Sequence, residues 1–117
     1  MGRLSTHVLD TLHGRPARHM LIELFHVHGT APTRIKTLHT NQDGRADEPL
    51  LQGDTLKKGV YELVFHAGDY FASQGITLPE PRFVDQVAIR FGIAQPTENY
   101  HVPLLVTPWA WSTYRGS

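Results

Sequence analysis

The 117-residue chain contains no cysteine, which removes disulfides, thiolate nucleophiles and cysteine-ligated zinc at once and leaves the redox compartment open. It also lacks an excess of either charge: eleven Lys and Arg stand against eleven Asp and Glu. A neutral surface has no field with which to gather a polyphosphate backbone or an anionic bilayer, so neither nucleic acid nor membrane is expected as a partner. No apolar run approaches the length of a membrane span, and the opening Met1-Gly2-Arg3-Leu4-Ser5 has no signal-like hydrophobic region. These features predict a cytoplasmic protein. Internal repeats and low-complexity tracts are missing too, and the length suits one domain, residues 1–117, with a core that needs no covalent staple.

What the chain does have is a succession of short β-rich segments divided by Gly, Pro, Asn and Asp, the pattern of an all-β sandwich or barrel. The clearest strand covers residues 86–93, where Val87, Ile89, Phe91 and Ile93 alternate with Ala88, Arg90 and Gly92. Residues 59–66 place Tyr61, Leu63 and Phe65 on one side. Further strands are expected at 5–10, 20–28, 34–40, 101–107 and 112–115. One short helix is expected over 67–75, with Tyr70 and Phe71 turned toward a core. Residues 13–16 and 40–45 read as turns, and Leu78-Pro79-Glu80-Pro81-Arg82 reads as an extended connection.

Eight histidines draw attention to proton transfer, since imidazole titrates near neutrality. On an extended strand His7 shares a face with Ser5 and Leu9, and His101 shares one with Pro103 and Leu105. Either could be an ordinary solvated histidine. Arg45, next to Asp47 and Glu48, could be a neutralised surface cation or a fork for a planar anion or carbonyl. His26 and His28 have the spacing of a same-face pair, but no third ligand stands at a matching position, so no metal site is expected. The last stretch concentrates Trp109, Trp111 and Tyr114, and rings of that size are expected to be packed.

Several blocks carry a resemblance: Leu4-Ser5-Thr6-His7-Val8-Leu9-Asp10, Gly14-Arg15-Pro16-Ala17, Thr40-Asn41-Gln42-Asp43-Gly44-Arg45, Tyr100-His101-Val102-Pro103-Leu104-Leu105 and Ser112-Thr113-Tyr114-Arg115-Gly116-Ser117. Together they resemble the signature blocks of the 5-hydroxyisourate hydrolases, part of the transthyretin-like family. The terminal Tyr-Arg-Gly-Ser is the most specific, because the hormone-carrying transthyretins do not end this way. The family often has histidine before its Tyr-His pair, where this chain has Asn99.

The resemblance implies a transthyretin-like (prealbumin-like) sandwich of two four-stranded antiparallel sheets with one short helix. It implies a homotetramer with active sites at the dimer–dimer interface, and a small-molecule substrate, 5-hydroxyisourate, opened by water without a cofactor. By the same resemblance His7, Arg45, His101 and Ser117 are the catalytic residues, with Tyr114, Arg115 and Gly116 joining them around the substrate. Hydrolysis of an amide-like bond needs a base, a charge to hold the oxyanion and a proton for the leaving nitrogen. Two imidazoles and a guanidinium supply those capacities, with water activated by the histidines directly or through a relay with Ser117. The rival expectation is a transthyretin-type carrier that binds a small ligand without chemistry.

Overall fold

The computed structural model describes residues 1–116. Its strands are β1 (Arg3–Asp10), β2 (Arg15–Pro16), β3 (Leu21–His28), β4 (Ala31–His39), β5 (Leu51–Gln52), β6 (Gly59–His66), β7 (Gln86–Ile93), β8 (Tyr100–Val106) and β9 (Trp111–Thr113), with one α-helix, α1 (Ala67–Ser73). They form two facing sheets, one ordered β4-β3-β6-β7 and the other β2-β1-β8-β9, with β5 also on β1. The transthyretin-like sandwich is therefore present, with a difference of detail: β1 and β8 run parallel, so the second sheet is mixed.

Alternation decides which residues enter the core. In β1, Leu4, Thr6, Val8 and Asp10 are buried while Ser5, His7 and Leu9 are half-buried on the opposite face. In β6, Tyr61, Leu63 and Phe65 point inward as their spacing predicts. In β3 the alternation slips after Leu24, where a bulge in the pairing with β4 accommodates Ile35. β4 begins at Ala31, before the expected residue 34, and tolerates Pro32 because it is an edge strand whose outer side needs no donors. The β-pieces β2 and β5 have two residues each, too short for any alternation to announce them.

Helix α1 buries Ala67, Gly68, Tyr70 and Phe71. Phe71 is fully buried, a burial that stabilises by about 2–3 kcal/mol relative to an exposed ring. Tyr70 donates 2.7 Å from its hydroxyl to Asp10, whose carboxylate also accepts from the His13 amide at 2.9 Å and meets His13 Nδ1 at 2.6 Å. This buried cluster ties the helix and the β1–β2 turn to the end of β1. Burial drives the Asp10 carboxyl pKa upward, but the His13 ring, the Tyr70 hydroxyl and the His13 amide together hold it below the usual value. The same burial and the hydrogen bond to Asp10 push Tyr70 up to about 12. Among the described residues no helix is long and apolar enough to cross a membrane.

Candidate active site

The site grows from one edge of β1. Three separate chain segments cover that edge: β5 pairs with Arg3 and Leu4, β2 pairs with Leu9 and Asp10, and between them Arg45 bridges His7. The gap between two very short strands is thus where the 41–45 turn reaches the sheet. Its shape is fixed internally, since Asn41 Oδ1 accepts from the Asp43 and Arg45 amides at 2.9 and 3.1 Å and the Asn41 amide donates to the Arg45 carbonyl at 2.8 Å. Gly44 has φ +74° and is buried against β1, its carbonyl accepting 2.8 Å from the Val8 amide. A side chain there would collide with the Val8 carbonyl, so only glycine lets the turn come this close.

On the other side of β1 lies β8, with Ser5 opposite His101 and His7 opposite Pro103. Residues paired in this way share a face, so the two histidines stand diagonally on it. Strand spacing and a two-residue rise put their Cα atoms about 8 Å apart. Nδ1 of His101 is 2.8 Å from the Ser5 hydroxyl.

The tail completes the row. β9 pairs with β8 so that Thr113 faces Leu104, and Gly116 faces His101 in the same register, its amide donating 2.7 Å to the His101 carbonyl. The regular ladder lapses between these two points, opposite Pro103, which has no amide to donate. Thr113 satisfies the Pro103 carbonyl from its hydroxyl at 2.7 Å. A Cβ on Gly116 would come within 2.7 Å of His101 Cδ2. The absent side chain is what leaves room for the imidazole.

Both imidazoles are held below the ordinary histidine value. For His7 the main cause is burial and the second is the Arg45 cation, with Asp43 offsetting part. For His101 the order is burial, then Arg45, then His7, with the Ser5 backbone acting the other way. The pair is therefore neutral at pH 7, able to accept protons, beside a permanent cation. A cleft of about 250 Å³ lined by Arg3, Ser5, Arg45, Asp47 and Glu48 shares Ser5 and Arg45 with this cluster, although neither imidazole lines it.

The structure brings His7, Arg45, His101 and Gly116 together. Arg115 is turned elsewhere: its guanidinium donates to the Glu98 carboxylate at 3.1 Å and the Asn99 carbonyl at 3.0 Å and sits 4.1 Å over the Tyr100 ring. It fastens the tail to β8. Tyr114 is 60% exposed, Trp109 59% and Trp111 44%, which corrects the expectation that these rings are packed within the chain. Backbone pairing, rather than ring burial, holds the segment. Ser117 lies outside the described residues. His26 and His28 do meet, with ring centroids 3.9 Å apart, and His26 stacks on Tyr61. No group of three or more potential metal ligands occurs among the described residues. The 40–45 segment reads as a turn from sequence, and the structure adds its close approach to β1. Sequence gives Ser5 no role, although the strand face it shares with His7 is a signal for one.

Residues 4–116 match the family described as HIUase/Transthyretin. The chain is 57% identical to the 5-hydroxyisourate hydrolase 2 of Rhizobium meliloti over 99% of this chain and 97% of that one. It is 56% identical to the 5-hydroxyisourate hydrolase of Pseudomonas aeruginosa, over 100% and 93%. The solved structure of Klebsiella pneumoniae 5-hydroxyisourate hydrolase superposes with a TM-score of 0.82 at 33% identity, with the whole of both chains covered. A sandwich of this topology, a match across nearly its full length and hydrolases at this level of identity agree: the chain belongs to the HIUase/Transthyretin family.

Proposed function

We propose that this protein hydrolyses 5-hydroxyisourate, opening its six-membered ring to give 2-oxo-4-hydroxy-4-carboxy-5-ureidoimidazoline, a step of urate and purine breakdown. The observation that carries the reading is the shared face of β1 and β8, where two imidazoles with lowered pKa stand beside the Arg45 guanidinium. One histidine takes a proton from water as the oxygen bonds to the ring carbonyl carbon. Negative charge moves onto the carbonyl oxygen, where Arg45 favours it. Collapse breaks the carbon–nitrogen bond, and the proton held on imidazole passes to the departing nitrogen. Atoms and charges balance with water as the only co-reactant, so no cofactor is required. Ser117 serves as a relay between the bound water and the histidines, and Tyr114 and Gly116 border the substrate.

The working form is a cytoplasmic homotetramer whose sites lie between dimers. Support comes from the openness of the site in one chain, with Arg45 exposed and Trp111 and Tyr114 uncovered nearby. Rings of that size gain substantially from a second copy.

The test uses 5-hydroxyisourate freshly made from urate and urate oxidase, with its ultraviolet decay followed with and without the protein. Acceleration over the spontaneous rate, lost in His7→Asn and His101→Asn with the tetramer intact, is the expected result. Binding without acceleration would instead identify a transthyretin-type carrier.

A further inference from the structure

His101 is gripped from both flanks of its strand. On the β1 side the Ser5 hydroxyl lies 2.8 Å from Nδ1. On the tail side Gly116 lies under the Cδ2 edge of the ring. Nδ1 and Cδ2 are the two atoms bonded to Cγ, so these contacts fix the ring's rotation and turn Cε1 and Nε2 outward. The remaining freedom is the tautomer. In neutral imidazole one nitrogen carries the proton and the other a lone pair, and the partner of the first decides which is which.

We propose that Ser5 is a positioning residue that accepts a hydrogen bond from His101 Nδ1–H and so leaves the Nε2 lone pair facing the open site. The inference rests on the hydrolase reading and extends it to a residue without a role there. Acceptance by Ser5, rather than donation, follows from the hydrolase reading: a base facing the open site needs its lone pair on Nε2, which puts the proton on Nδ1, the nitrogen that lies 2.8 Å from the Ser5 hydroxyl. Without Ser5, free imidazole in water leans toward the Nε2–H form, which cannot take a proton at Nε2. Ser5 is half-buried, and its hydroxyl has His101 as its side-chain partner.

The experiment reads the tautomer directly, by long-range ¹⁵N–¹H correlation spectra of the intact protein at pH 8, where His101 is neutral. In the unaltered protein His101 is expected to show a protonated Nδ1 and a bare Nε2. In Ser5→Ala the signals should move toward the Nε2–H form, with kcat down about tenfold, a part of what general-base catalysis supplies, and KM within about twofold. An Nε2–H signal in the unaltered protein would overturn the proposal. So would a Ser5→Ala protein whose His101 tautomer and kcat are unchanged. Because the spectra need no substrate, a protein that failed to hydrolyse 5-hydroxyisourate would refute the hydrolase reading while the tautomer still judged Ser5.

Discussion

The Gly116 amide donates a 2.7 Å hydrogen bond to the His101 carbonyl, and the same glycine lies against the His101 ring. A methyl group there would overlap Cδ2, and the ring is the softer partner, because the backbone of β8 is held on both sides. Gly116→Ala is therefore expected to lower kcat/KM at least about tenfold through misplacement of a reacting group. Thermal unfolding should move little, since Gly116 lies beyond the paired strand β9. Full activity in this variant would separate the tail contact from catalysis.

Arg45 acts on both histidines through space. Burial is the larger cause of each depressed pKa and Arg45 the next, so removing the cation removes a downward push on both. In Arg45→Gln both imidazole pKa values should rise, as read by NMR titration. A base must be unprotonated, so the acid limb of kcat/KM should move to higher pH. Activity should also fall about a hundredfold or more, because the oxyanion loses its charge partner. Two unmoved titrations would show that Arg45 is too distant or too well solvated to matter.

The first part of this arrangement was legible in the sequence. Strand alternation put His7 with Ser5 and His101 with Leu105 on defined faces, and the core residues of β6 and β7 followed from the same period of two. The pairing of the two faces was not legible, because nothing in local pattern reveals that β1 and β8 run parallel with Ser5 opposite His101. Nor do two-residue strands carry a periodic signal, so the gap that admits Arg45 was hidden. The aromatic tail misled for another reason. Ring size indicates that burial is favourable, yet it does not say whether the covering surface belongs to the same chain.

Asp10 links stability to pH. Its carboxyl is fully buried, and its pKa is held below the ordinary value, so the folded state binds that proton less readily than the unfolded chain. Its contribution is complete above the ordinary aspartate value of 3.8 and fades as pH falls through the lower folded value. The histidines act similarly at higher pH: their folded pKa values lie below 6.5, so stability declines as pH drops beneath 6.5. Urea unfolding should show both declines. Asp10→Ala should cost about 1–3 kcal/mol by stranding the Tyr70 hydroxyl and His13, and should flatten the acidic decline alone.

Two glycines with nearly the same φ separate strain from function. Gly44 has φ +74° and Gly14 has φ +72°, so alanine at either carries the left-handed cost of about 1–2 kcal/mol. A Cβ at Gly14 would have nothing within 4 Å, whereas one at Gly44 would run into the Val8 carbonyl. Gly14→Ala should lower the melting temperature and leave kcat/KM within about twofold, since the strain stays in a solvent-facing turn. Gly44→Ala must also push the 41–45 turn away from β1, carrying Arg45 off His7. It should lose more stability and, at temperatures where it remains folded, show a raised KM with histidine pKa values shifted upward as in Arg45→Gln. Equal activity in the two alanine variants would mean that the close approach of this turn to β1 does not position Arg45.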